Sequence, residues 1–161
     1  MDASAQSDHF PLDVEISSPL SRGKELTVLV VEDLPADRAV TLKLLEVLGY
    51  QADMASNGLE ALEALRKRRY DVVLMDLQMP RMGGLETTRR IYQEFPQEER
   101  PCIIAVTSAI DAESRACCLD AGMDDYLNKP LEVVMLAEAL MSCQAWRLGG
   151  SSLERAARLY P

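Results

Sequence analysis

Thr27-Val28-Leu29-Val30-Val31-Glu32-Asp33-Leu34-Pro35 is an unbroken apolar run that stops abruptly at two acids and a proline. Five β-branched or leucine residues without alternation fit a strand buried on both faces, the pattern of a parallel sheet. Proline just beyond the acids suits the first turn of a following helix. Two more runs of this kind follow at Val72-Val73-Leu74-Met75 and Cys102-Ile103-Ile104-Ala105-Val106. Each is followed by a turn and then a helical pattern.

From Leu26 to about Cys143 this alternation occurs five times. The first helix carries Val40, Leu44, Val47 and Leu48 at helical spacing and stops at Gly49. A second strand near Gln51–Ala55 leads to a helix opened by Asn57 and Glu60, which have the spacing of a capping pair, with Leu59, Leu62 and Leu65 along one stripe. A third helix carries Leu85, Thr88, Ile91 and Tyr92. A fourth runs from near Asp111 to Ala121-Gly122. A short fifth strand around Asp125-Tyr126-Leu127 precedes a last helix from about Leu131 to Cys143, with Val134, Ala137, Leu140 and Met141 inward. Strict β-α alternation with short loops predicts a doubly wound α/β domain with helices on both faces. The continuous runs belong at the centre and the shorter or more polar second and fifth strands at the edges. That is the 2-1-3-4-5 order of the flavodoxin-like (βα)5 fold.

Around this domain, residues 1–23 are rich in Ser, Asp and Pro and read as a flexible tail or linker. The domain is taken as 24–143. Residues 144–161 read as a C-terminal extension, broken at Gly149-Gly150-Ser151-Ser152, with a short amphipathic segment from Leu153 opened by the Ser151 and Glu154 pair.

Composition narrows the function classes. The chain has 161 residues, 48% hydrophobic, 27% charged, with a formal net charge of −9. That charge disfavours a nucleic-acid backbone as direct partner. The basic run Arg66-Lys67-Arg68-Arg69 reads as the solvated end of a helix, where cations complement exposed carbonyls. The single histidine, His9, lies in the polar tail, which excludes a His-based zinc site. Neither a signal peptide nor a membrane-spanning run is found, and the protein is read as cytoplasmic. The four cysteines, Cys102, Cys117, Cys118 and Cys143, read as buried small hydrophobes in a reducing compartment.

Ligands of such a sheet sit at the carboxyl ends of the strands. There the first strand delivers Glu32 and Asp33, the third Asp76, and the fourth Thr107 and Ser108. The loop after the fifth delivers Lys129 and Pro130. Converging carboxylates repel unless a hard divalent cation with oxygen ligands intervenes, and Mg2+ is the natural candidate. A metal, a lysine and a hydroxyl around one carboxylate form a site for a phosphoryl group, with Asp76 as the central nucleophile.

At these residues the sequence resembles the receiver domain of two-component response regulators and hybrid histidine kinases. The matching stretches are Val28-Leu29-Val30-Val31-Glu32-Asp33, Leu74-Met75-Asp76-Leu77-Gln78-Met79-Pro80-Arg81-Met82-Gly83-Gly84, Ala105-Val106-Thr107-Ser108 and Asp125-Tyr126-Leu127-Asn128-Lys129-Pro130. The resemblance implies that Asp76 is the phosphoacceptor, supplied by a histidine kinase or histidine phosphotransfer protein. It implies that Asp33, Asp76 and the backbone carbonyl of Gln78 bind Mg2+, with Glu32 assisting through water. Thr107 and Lys129 would contact the phosphoryl oxygens, and Thr107 and Tyr126 would form a switch reshaping the face of the fourth helix, fifth strand and fifth helix. The Lys129–Pro130 peptide is expected to be cis, and Leu34, Pro35 and Leu42 are candidate contacts for the donor.

The chain is then not a turnover enzyme, although a parent hybrid histidine kinase would be one. Gln78 and Ala109 stand where an acid could assist water, so a persistent phosphorylated state is expected. Other classes fit less well. A haloacid-dehalogenase-type phosphatase needs an acid at position 78, a flavin or dinucleotide carrier needs a glycine-rich first loop, and a degenerate docking receiver would lack part of the acidic set.

Overall fold

The computed structural model describes residues 26–108, 111–147 and 149. The readings of the 1–23 tail, His9, Ala109 and the segment from Leu153 lie outside these residues. The elements run in order as β1 (Val28–Val31), α1 (Pro35–Val47), β2 (Ala52–Ala55), α2 (Gly58–Lys67), β3 (Val72–Asp76), α3 (Gly84–Glu94), β4 (Cys102–Thr107), α4 (Ala112–Ala121), β5 (Asp125–Asn128) and α5 (Val133–Arg147). A short 3-10 turn, Gln97–Glu99, precedes β4. All five strands are parallel and ordered β2-β1-β3-β4-β5. This is the flavodoxin-like arrangement that the apolar runs predict. The three central strands are buried at every position, whereas β2 exposes Asp53 and Met54.

Alternate residues of the central strands feed two cores. On one side Val28, Val30, Leu74, Ile104 and Val106 pack with Leu45 of α1 and with Leu136, Leu140 and Trp146 of α5. On the other, Leu29, Val31, Val73, Met75, Ile103 and Ala105 pack with Leu62, Leu65, Ile91 and Cys118 from α2, α3 and α4. Local signals end the helices. Asn57 accepts a hydrogen bond from the Glu60 amide at the start of α2, and the Glu60 carboxylate accepts one from the Ser56 amide. Asp111 caps α4 in the same way, accepting from the Ser114 amide, while Gly122, with φ of +105°, closes that helix in the left-handed conformation that glycine adopts without strain.

Three readings of the sequence are corrected. In α1 Leu44 and Leu48 pack against the core as expected, but the buried positions are Thr41 and Leu45, while Val40 and Val47 are exposed. In α5 the buried residues are Leu136, Ala139, Leu140, Cys143 and Trp146, with Val134 and Met141 exposed; the helix continues to Arg147, past Cys143. In α2, Leu59 is exposed and Ala61 takes the inward place.

The fourth correction concerns the cysteines. Cys102 and Cys143 form a disulfide across 41 residues, with Cα atoms 5.9 Å apart, leaving Cys117 and Cys118 free. The bond joins the first residue of β4 to α5. The basic run, by contrast, behaves as expected: Arg66 pairs with Glu94, Lys67 with Glu63, Arg68 with Asp53 and Arg69 with Glu99, all at the surface. Among the described residues no helix is long and apolar enough to cross a membrane.

Candidate functional site

The site forms where β1 and β3 end, because parallel strands in register deliver their last residues to the same edge. Val31 is paired with Met75, so Glu32 and Asp76 emerge side by side. Carboxylate oxygens of Glu32, Asp33 and Asp76 lie within 4.8 Å of one another. Glu32 and Asp76 are buried, at 3% and 6% exposure, so their mutual repulsion is poorly screened by water. Part of that charge is met locally. The Gln78 amide donates to Asp76 Oδ1 at 3.2 Å, and the Leu34 amide donates to Glu32 Oε1 at 3.1 Å. Asp33 Oδ1 is buried without a hydrogen-bond partner. A buried carboxylate oxygen with no donor, facing two further carboxylates, is the surrounding a hard cation satisfies. The donor set is all oxygen, which fits Mg2+ and not a thiolate- or imidazole-bound metal.

Lys129 supplies the fixed positive charge. It follows β5, and its amide donates to the Thr107 carbonyl at 2.9 Å, which ties the end of β5 to the end of β4. The Lys129–Pro130 peptide is cis, as the resemblance implies. Its ammonium bonds Glu32 Oε2 at 2.6 Å and Asp37 Oδ2 at 2.8 Å, and stands 3.7 Å from Asp76 Oδ2. Burial opposes the charge on Lys129, but hydrogen bonds to Asp37 and Glu32 and the nearby Asp76 outweigh it, so its pKa is raised. The amine therefore stays protonated throughout the physiological range.

Thr107 is buried as the last residue of β4, one position beyond Val106, the register partner of Asp76. Tyr126 lies on β5 opposite Ala105, half-buried, with the Arg115 guanidinium of α4 stacked 4.7 Å from its ring centre. Arg115 Nε is buried with no hydrogen-bond partner, and the stacking on the ring adds a cation–π contact to this guanidinium. Of the candidate donor contacts, Leu34 and Pro35 are exposed beside the site, while Leu42 is half-buried against the α1 core.

The turn after β3 is held close by glycine. A Cβ on Gly84 would clash with the Asp76 carbonyl oxygen, and the Gly84 amide donates to Leu77 O at 3.1 Å. Only a residue without a side chain lets α3 start this close to Asp76. Asp37 is the one member of the cluster that motif reading missed. It lies in the first turn of α1, and an acid in the helical turn that directly follows the Glu32-Asp33 pair is the signal that could have drawn attention to it.

A five-stranded 2-1-3-4-5 sheet with an acidic cluster, a lysine and a buried threonine at its carboxyl edge defines a phosphate-handling signalling module of the receiver class. The chain belongs to the response regulator receiver domain family, whose model matches residues 28–141. Among its relatives, the aerobic respiration control sensor protein ArcB of Escherichia coli is 40% identical over 111 residues; the match covers 69% of this chain and 14% of ArcB. The chain thus spans about a seventh of that relative's length. Among solved structures, the receiver domain of the sensor histidine kinase PA1611 from Pseudomonas aeruginosa, with a magnesium ion coordinated in its active-site cleft, matches with a TM-score of 0.68 and 35% identity, covering 76% of this chain and 99% of that one. A complex of the Saccharomyces cerevisiae histidine phosphotransfer protein Ypd1 with the receiver domain of its downstream response regulator Ssk1 matches at 25% identity and a TM-score of 0.68, covering 76% of this chain and 91% of that one.

Proposed function

We propose that Asp76 is the phosphoacceptor of a two-component phosphorelay, charged by the phosphohistidine of a histidine kinase or histidine phosphotransfer protein. The observation that carries this reading is one buried carboxylate at the end of a central strand, with two further carboxylates within 4.8 Å and a lysine ammonium at 3.7 Å. An Asp76 carboxylate oxygen would attack phosphorus; the P–N bond to the imidazole breaks, a P–O bond forms, and the leaving nitrogen keeps the electron pair and takes a proton. Asp33, Asp76 and the Gln78 carbonyl would hold Mg2+, with Glu32 assisting through water. When bound, the ion neutralises the developing charge on the phosphoryl oxygens. Lys129 and Thr107 would contact those oxygens as well.

Thr107 and Tyr126 then read the change. Movement of the Thr107 hydroxyl toward the phosphoryl group would free space for the half-buried Tyr126 ring and alter the α4–β5–α5 face. The chain supports its own phosphorylation without turning over external esters, since Gln78 offers no acid for a leaving group. We place it in the cytoplasm, where ATP-derived phosphohistidine is made, as a receiver whose last helix carries on past residue 143 to Arg147. A second reading, a receiver segment within a larger hybrid histidine kinase, is favoured by sensor-kinase relatives such as ArcB.

Acetyl phosphate with Mg2+, followed by intact mass, tests the assignment. The wild-type chain should gain one phosphate and Asp76→Asn none. No gain by wild type, or an unchanged gain in the variant, would falsify the assignment.

A further inference from the structure

The pocket contains a fourth carboxylate that the phosphoacceptor reading leaves without a task. Asp37 Oδ2 accepts a hydrogen bond from Lys129 Nζ at 2.8 Å, across 92 residues of sequence. An ammonium has three donors. Two of them are taken by Glu32 and Asp37, while Asp76 Oδ2, at 3.7 Å, is outside hydrogen-bond range. The Asp37 side chain is 40% exposed and that of Lys129 18%, so Asp37 stands at the rim with the ammonium beneath it. Its place in the first turn of α1 also suits a negative charge, because the helix dipole stabilises an anion there.

We propose that Asp37 is a positioning residue for Lys129: it holds the ammonium on the α1 side of the pocket, off Asp76, and must surrender it when phosphoryl oxygens arrive. The inference rests on the phosphoacceptor reading and adds a regulating element to it. Two consequences follow, and they have opposite signs. While Asp37 holds the ammonium, Asp76 Oδ2 takes no hydrogen bond from it and is left open to a divalent cation, and the extra negative charge favours that cation. For an incoming phosphoryl group the same carboxylate competes for Lys129 and repels the anion.

Asp37→Asn keeps the size of the side chain and removes its charge. Mg2+ affinity is read by calorimetric titration with magnesium chloride, and phosphorylation by intact mass with acetyl phosphate at saturating Mg2+. We expect the variant to bind Mg2+ about two- to fivefold more weakly, the scale of a partly exposed ion pair, and to be phosphorylated faster by a similar factor. Asp37→Glu, which restores the carboxylate, should return both quantities toward wild type. Asp37 lies at the rim, so neither substitution disturbs the core, and a general structural defect would weaken metal binding and phosphorylation together. An unchanged value of either quantity in Asp37→Asn, or shifts of both in the same direction, overturns the inference alone. Failure of the wild-type chain to take up phosphate overturns the phosphoacceptor reading and the inference with it.

Discussion

Reduction of the Cys102–Cys143 bond should cost the domain a large share of its stability while leaving the phosphoryl site untouched. The bond closes a loop between residues 41 apart in sequence. Loop-closure entropy for such a span is about 13 cal/mol/K, or about 4 kcal/mol at 25 °C. A domain of this size is stable by about 5–15 kcal/mol in total, so the bond is a substantial fraction of the whole. The melting temperature should fall by roughly 10–20 °C. Location sets the second half of the expectation. Cys102 is the register partner of Val72 at the start of β3, whereas Asp76 at the other end of that strand is partnered by Val106. The bond thus anchors α5 at the edge of the sheet opposite the acidic cluster. Cys102 and Cys143 are buried, at 6% and 0% exposure, so reduction needs an opened state and is best carried out in urea. Urea transitions with and without a phosphine reductant measure the stability difference. Alkylation under denaturing conditions without reductant should modify only Cys117 and Cys118, and all four cysteines after reduction. Acetyl phosphate uptake by the reduced, refolded chain should match that of the oxidised one. Four reactive thiols in air-oxidised protein, or transitions that coincide within about 1 kcal/mol, would refute the reasoning. In a reducing cytosol the bond must persist against the thiol pool, so rapid alkylation of cells tests the proposed location as well.

Two further outcomes follow from packing and charge. Leu140→Ala, at a fully buried position of α5, should cost about 2–5 kcal/mol in urea unfolding, whereas Met141→Ala next to it, half exposed, should stay within about 0.5 kcal/mol. Comparable losses at both would reject the observed phase of α5. Burial, together with a hydrogen bond from its hydroxyl to Asp53, pushes the Tyr70 pKa up to about 12, above the ordinary tyrosine value. Because the folded state binds this proton more tightly, its contribution is complete below about pH 10 and is lost as pH rises through about 12. Stability profiles of wild type and Tyr70→Phe should therefore converge across that alkaline window, and a gap that stays constant there would count against the hydrogen bond.

The sheet was readable because its information is local and strong. Strands buried on both faces leave no polar residue in Val28–Val31, Val72–Met75 or Cys102–Val106, and that alone separates centre from edge. The helix faces were less readable for a related reason. In α5 the stretch Val133-Val134-Met135-Leu136 is apolar on every side, so periodicity cannot choose between Leu136 and Val134. In α1 one of the two buried residues is a threonine, Thr41, whose hydroxyl donates to the Asp37 carbonyl within the helix. That bond removes the cost of burying it, and a reading based on apolar spacing passes over it.

The candidate site divides along the same line. Glu32, Asp33, Asp76, Thr107 and Lys129 were legible because topology carries the ends of separate strands to one edge, and the residue types found there already suggest a chemistry. The geometry within the pocket was not legible. Lys129 reaches Glu32 across 97 residues and Asp37 across 92, and no periodic signal spans such separations. The disulfide has the same character, since four cysteines allow several pairings and spacing does not select one. Yet these long-range contacts decide how the pocket behaves. A lysine facing Asp76 alone would compete directly with a cation for that carboxylate. The Lys129 ammonium is instead shared between Glu32 and Asp37 and stands one van der Waals contact away from Asp76. The ammonium is therefore anchored by two carboxylates and still stands 3.7 Å from a third, Asp76, and neither the motif nor the fold alone specifies that arrangement.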